Sequence, residues 1–182
     1  FLETGAVQRA SNVIYDRAHS CIAEGQKGDI DWEAAFDGAD WFHWTGITPA
    51  ISAGAAALCK EAVETADEMG LTISCDLNYR SKLWKYGKEA GEVMEDLVQH
   101  VDVAVGNEED ADKVFGIKAP HADVEAGKVD AADYRYVAEK LTERFPKMTK
   151  VAITLRGSLS ASHNTWSAVL YEEGELFTTT TY

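Results

Sequence analysis

A chain of 182 residues is the size of one domain, and with 46% hydrophobic and 26% charged residues it has the composition of an ordinary folded protein, not of a disordered or fibrous one. Its 31 Asp and Glu against 17 Lys and Arg give a net charge of −14, a field that repels phosphate backbones and anionic lipid surfaces, so neither nucleic acid nor membrane is an expected partner. No apolar run approaches the ~20 residues of a membrane-crossing helix, and Cys21, Cys59 and Cys75, odd in number and without a CxxC pair, suit a reducing cytoplasm.

In chain order, Arg9, Ser11, Val13, Tyr15 and Arg17 fall at alternate positions, the period of an extended strand carrying all five on one face. Trp41 to Trp44 reads as a strand entering Thr45-Gly46-Ile47-Thr48-Pro49. From Ser52 to Met69, Ala55, Leu58, Cys59, Ala62 and Ala66 recur at helical spacing, with Gly70 as a stop signal. Leu71 to Cys75 is a short apolar run, a buried strand emptying into Asp76-Leu77-Asn78-Tyr79-Arg80. A helix over Lys88 to Gln99, with Val93, Leu97 and Val98 inward, leads to a strand over Val101 to Val105. Asn107 with Asp110 then marks a helix start, backed by Ala111, Val114 and Phe115. The charged stretch from Asp123 to Asp133 reads as a solvated loop. Tyr134, Val137, Ala138, Leu141 and Phe145 predict a helix closed by Pro146, Lys150 to Leu155 a further strand, and Trp166 to Tyr171 with Leu176 to Tyr182 a hairpin turned at Glu172-Glu173-Gly174.

Strands alternating with helices predict an α/β fold with a mainly parallel central sheet, followed by an antiparallel pair. In such sheets ligands gather beyond the carboxyl ends of the strands. Those ends deliver His43 to Thr48, then Asp76, Asn78 and Arg80, then Asn107 and Glu108, then Arg156, Gly157 and Ser158. In so acidic a chain, Arg9, Arg17, Arg80 and Arg156 gathered near that rim would make a local site for an anionic small molecule, because guanidinium groups clamp carboxylate or phosphate in bidentate fashion. Asn107 reads equally as a helix cap and His43 as a packed histidine. No GxxxxGK[ST] loop, GxGxxG turn, GxSxG elbow or HExxH pair occurs. The five tryptophans read as core and edge packing.

Five segments taken together, Ile14-Tyr15-Asp16-Arg17, His43-Trp44-Thr45-Gly46-Ile47-Thr48-Pro49, Asp76-Leu77-Asn78-Tyr79-Arg80 with Leu83-Trp84, Gly106-Asn107-Glu108-Glu109-Asp110, and Ile153-Thr154-Leu155-Arg156, resemble the ribokinase-like (PfkB) carbohydrate kinases. The resemblance is greatest to members that phosphorylate 2-keto-3-deoxygluconate. It implies a Rossmann-like three-layer core with part of a small β lid, and transfer of the ATP γ-phosphoryl group to a sugar hydroxyl with Mg²⁺. By motif position, Tyr15 and Arg17 resemble the lid pair that contacts the sugar acid, and Arg80 the arginine that holds it from the opposite side. Asn107 and Asp110 sit where the family has Asn-x-x-Glu, associated with Mg²⁺ and phosphate. Thr154, Arg156 and Ser158 occupy the nucleotide-side loop, with Arg156 where many relatives have glycine.

The same resemblance implies a central portion of one ribokinase-like domain, with lid strands over about residues 1–25 and the α/β core over about 26–182. The start at Phe1, without Met or a leader, suggests a piece of a larger gene product. The family's Gly-Asp segment, with the catalytic base and anion hole, is expected after Tyr182, so no catalytic residue is expected within the chain and this piece alone is expected to be inactive. The expected setting is the cytoplasm, with a homodimer through the lid strands. The alternatives are another sugar kinase of the fold, such as a fructokinase, and a non-catalytic sugar-acid-binding fragment.

Overall fold

The computed structural model describes residues 1–107, 109–120, 131–158 and 163–182. A two-stranded antiparallel ribbon, β1 (Leu2–Glu3) with β2 (Asn12–Val13), comes first. Two short helices, α1 (Cys21–Glu24) and α2 (Trp32–Phe36), then lead to β3 (Trp41–Thr45), α3 (Ile47–Ile51) and α4 (Ala53–Glu68). There follow β4 (Thr72–Asp76), α5 (Ala90–Val98), β5 (Val103–Asn107) and α6 (Asp110–Phe115). The chain continues through α7 (Ala131–Arg144), β6 (Lys150–Ser158), β7 (Asn164–Glu172) and β8 (Glu175–Thr178).

The six-stranded sheet has the order β3-β4-β5-β6-β7-β8, parallel from β3 to β6 and antiparallel thereafter. This is the α/β architecture expected from the strand–helix alternation. Ile73, Cys75, Ala104, Val151, Ile153 and Val169 point from one sheet face into the core, where they meet Ala62, Val63 and Ala66 of α4, Met94, Leu97 and Val98 of α5, and Leu141 of α7. Of the strand residues pointing the other way, His43, Asn107, Thr154 and Arg156 are exposed.

Local chemistry sets the ends of these elements. Ser52 Oγ accepts from the Ala55 N–H at 3.0 Å and starts α4. Past its far end Gly70 takes φ 76°, as a helix stop requires, and Gly116 does the same after α6 at φ 69°. Asp31 Oδ1 caps α2 through the Ala34 N–H at 3.1 Å.

Four expectations need correction. The amino-terminal strand does not run from Arg9 to Arg17. A tight turn with an Ala6–Arg9 bridge and Val7 at φ 55° confines pairing to Leu2↔Val13 and Glu3↔Asn12. A second turn follows, where Ser20 Oγ and N–H both donate to the Arg17 carbonyl. β5 begins two residues later than expected and reaches Asn107, and β6 continues three residues past Leu155 because β7 pairs with its whole length. Asp133 is not in a loop: α7 starts at Ala131 and buries it. The stretch 121–130 lies outside the described residues.

Candidate functional site

The carboxyl ends of β3, β4 and β5 are tied into one rim by hydrogen bonds from the loops that follow them. The Gly46 N–H donates to the Asp76 carbonyl and the Leu77 N–H to the Val105 carbonyl, both at 2.8 Å, so the ladder continues past the last strand residues. Asn78, in the left-handed region at φ 41°, donates its side-chain amide to Thr45 Oγ1 at 3.1 Å. The tightest knot is Asp110. Its Oδ1 accepts from the Tyr79 N–H at 3.0 Å and its Oδ2 from the Asn107 N–H at 2.9 Å, while Asn107 Oδ1 accepts from the N–H groups of Glu109 and Asp110. Asn107 therefore does the capping work expected of it, and Asp110 joins the loops after β4 and β5.

Asp110 is only 3% exposed. Burial pushes its carboxyl above the usual carboxylate range, against the pull of the Asn107 and Tyr79 N–H groups and the nearby Arg80 charge. Burial, and then the charge of Asp110, raise Asp76 in the same way. Both carboxyls feel the charge of Arg80 in the loop after β4.

Beyond this rim lies a cavity of about 360 Å³ that Tyr15 and Arg17 line from the amino-terminal segment and Ile47, Arg80, Lys82 and Leu83 from the strand-end loops. The Arg17 guanidinium lies over the Tyr15 ring, 4.4 Å from its centroid. Opposite, Arg80 donates to its own neighbour's carbonyl, that of Tyr79, at 3.1 Å. The loop carrying Arg80 and Lys82 is pinned to the α3 region: the Trp84 N–H donates to the Ala50 carbonyl at 3.0 Å and the Tyr86 hydroxyl to the Pro49 carbonyl at 2.6 Å. The structure thus brings together Tyr15, Arg17 and Arg80, the three residues singled out for an anionic substrate.

It does not bring the four arginines together. Arg9 donates to the Thr4 carbonyl within its own turn. Arg156 donates through Nε and Nη2 to Asn164 Oδ1 and stands 5.7 Å from the Trp166 ring centroid, both features of the β6–β7 ladder. Asn107, the last residue of β5, is the register partner of Thr154 in the middle of β6, and Thr154 Oγ1 donates to the Gly106 carbonyl at 3.3 Å. Arg156 follows two residues beyond Thr154 on the same strand face. Ser158 closes β6, and its side chain lies outside the described residues, as does Glu108. His43 is exposed, not packed, and its Nδ1 is 2.7 Å from Ser74 Oγ.

A second concavity, of about 300 Å³, lies between β3 and the helices α1, α2 and α4, walled by Trp32, Phe42, Trp44 and Leu58. No Lys or Arg lines it, and apart from His43, Thr45 and Thr48 its named wall residues are apolar or aromatic. As a metal ligand Asp110 fits poorly, since each of its oxygens is already engaged by a backbone N–H, and among the described residues no group of three His, Cys, Asp or Glu side chains could hold a metal ion. Sequence reasoning missed Lys82. The signal available was the Arg80-Ser81-Lys82 spacing, two cations in a strand-end loop of an acidic chain.

Comparison with known proteins settles the family, since residues 4–162 match the pfkB family of carbohydrate kinases. The chain belongs to that family. A curated 2-dehydro-3-deoxygalactonokinase of Haloferax volcanii is 39% identical over 110 residues, 60% of this chain and 34% of that protein. The crystal structure of a 2-dehydro-3-deoxygluconokinase from Thermotoga maritima superposes with a TM-score of 0.87 at 43% identity, over 100% of this chain and 53% of the other. A PfkB family carbohydrate kinase from Listeria grayi follows with a TM-score of 0.79 and 28% identity, over 100% of this chain and 52% of that one. The chain thus spans about a third of the curated relative and about half of these solved structures. Among the described residues no helix is long and apolar enough to cross a membrane.

Proposed function

We propose that this chain carries the sugar-acid side, and part of the nucleotide side, of an ATP-dependent kinase that phosphorylates 2-keto-3-deoxygluconate. The observation that supports the reading is the cavity that Arg17, Arg80 and Tyr15 line together, with no carboxylate in its wall. Two guanidinium groups in the wall of one cavity match a carboxylate, and the hydroxyl of Tyr15 and the apolar side chain of Ile47 suit the rest of a small sugar. In this reading Tyr15, Arg17 and Arg80 hold the substrate. Asn107, Thr154, Arg156 and Ser158 lie toward ATP, the co-substrate expected of a family of carbohydrate kinases. Mg²⁺ as the companion ion of ATP belongs to the reading, with its ligands other than Asp110. A cytoplasmic location and a homodimer through the β1–β2 ribbon complete it; the ribbon exposes Leu2 and Val13, which are register partners, on a two-stranded sheet with free edges.

The test is substrate discrimination. A kinase assay on the protein containing this chain should prefer 2-keto-3-deoxygluconate over fructose by about 10–100-fold in kcat/KM, the equivalent of one charge-assisted contact of about 1.5–3 kcal/mol. Arg80→Ala should raise KM for the sugar acid and leave KM for ATP nearly unchanged, and Arg156→Ala should do the reverse. Equal turnover of fructose overturns the sugar-acid assignment. Both variants acting on one substrate overturns the placement of the two loops.

A further inference from the structure

The cavity holds one cation more than its substrate needs. Three of its wall residues, Arg17, Arg80 and Lys82, are positively charged and none is acidic. Of the cations elsewhere, Lys60, Lys88, Arg135, Lys140, Arg144, Lys147 and Lys150 each stand in an ion pair, whereas Arg9, Lys27, Lys85, Lys113, Lys118 and Arg156 stand in none of the described ones but are not gathered around one cavity. No described carboxylate pairs with Arg17, Arg80 or Lys82, although acidic residues outnumber basic ones 31 to 17. Asp76 and Asp110 feel the Arg80 charge from the rim, but none of the described ion pairs takes up any of the three cations, so anionic charge entering the cavity lowers their mutual repulsion.

A sugar acid brings one negative charge, which the guanidinium groups of Arg17 and Arg80 accommodate. Lys82 sits two residues beyond Arg80 on the loop that the Trp84 N–H and the Tyr86 hydroxyl pin in place, and it lines the cavity from there. It differs from the arginines in kind, being a compact point charge with three donors that suits a tetrahedral phosphate.

We infer that Lys82 is a phosphate-binding residue that makes this cavity a better receptor for the phosphorylated sugar acid than for the sugar acid itself. The inference rests on the proposed sugar-acid reading and deepens it: the wall is matched in charge to the product, with its carboxylate on the arginines and its phosphate on Lys82. Product held in this way leaves slowly and inhibits at concentrations where substrate has not yet saturated the site.

The test is calorimetric titration of the protein containing this chain with gluconate, 6-phosphogluconate and glucose 6-phosphate, at fixed ionic strength. Wild type should bind 6-phosphogluconate about tenfold more tightly than gluconate, the scale of one added charge-assisted contact. Lys82→Met should bring that ratio to about one while leaving gluconate affinity within about twofold, and should abolish the weaker binding of glucose 6-phosphate. Arg80→Met should weaken gluconate and 6-phosphogluconate together. Lys82 is exposed, so both variants should keep the wild-type circular dichroism spectrum. An unchanged ratio in Lys82→Met, or gluconate binding as tight as that of 6-phosphogluconate in wild type, overturns the role of Lys82 and leaves the sugar-acid reading standing. Failure of wild type to bind either sugar acid overturns both.

Discussion

Asp110 allows two readings of one carboxylate to be separated by a single substitution. By motif position it is a candidate for the metal and phosphate side of the site. By geometry it is the tie between two strand-end loops, accepting the Tyr79 N–H through Oδ1 and the Asn107 N–H through Oδ2 at 3% exposure. Asp110→Asn keeps the shape and removes the charge. Its single carbonyl oxygen can serve one N–H; its NH₂ then faces the other donor, leaving a buried N–H without a partner. One charge-assisted bond is lost and the other becomes a neutral one, together about 2–4 kcal/mol. Relief of burying a charge offsets part of this, because the raised carboxyl shows that the ionised form is disfavoured where it sits. The expected net loss is about 1.5–3 kcal/mol, or a fall in Tm of about 3–12 °C for a chain of this size. Urea denaturation gives the global value, and amide hydrogen exchange should show faster exchange at Tyr79 or Asn107 while the middle of β4 stays protected. A variant as stable as wild type, with unchanged exchange at both amides, would refute the argument and return Asp110 to the metal reading.

Two further outcomes follow from the other end of the sheet and from the rim. Burial alone would raise the Asp67 carboxyl, but the hydrogen bonds from Lys147 at 2.5 Å and His100 at 2.7 Å outweigh it and hold the group below the usual range, with Asp102 also 3.6 Å from the Lys147 ammonium. A depressed carboxyl contributes stability above its unfolded value near ~3.9 and loses it as pH falls through the folded value, so the difference in urea midpoint between wild type and Asp67→Asn should be present at pH 7 and close below about pH 4; a difference that persists at pH 2 would contradict it. At the rim, a Cβ on Gly46 would stand 2.1 Å from the Leu77 carbonyl oxygen, so Gly46→Ala should cost about 1–3 kcal/mol by thermal denaturation and weaken gluconate binding, and wild-type stability would show that the two loops are not in contact.

The helices and core strands were legible because their signals are periodic and their ends carry local chemistry. Ser52 and Gly70 bracket α4 within a residue of the expected bounds, and the turn at Glu173 and Gly174 closes the last hairpin where the sequence places it. The amino-terminal segment misled because alternation is a property of side chains, whereas a strand also needs a partner for its backbone. The turn at Ala6–Arg9 leaves only two residues on each arm to pair. Tyr15 and Arg17 still meet, as expected of positions two apart, but through a guanidinium stacked on a ring, not through a shared strand face.

The site was legible wherever a residue stands at a strand end, since parallel strands carry their carboxyl ends to one rim whatever the loops then do. Arg80 and Asn107 belong to that class. Lys82 and the true work of Asp110 do not, because a loop has no period from which to read a direction. Its path here is set by two backbone inversions, Asn78 at φ 41° and Trp84 at φ 55°, the second in a bulky residue that pays for the conformation with a bond from its N–H to the Ala50 carbonyl. That bond joins positions thirty-four apart in the chain, so the direction in which Arg80 and Lys82 face is decided by α3, not by their neighbours in sequence. A reading of local pattern can therefore find the cations and the rim they leave from, and only tertiary contact determines that they converge on one cavity.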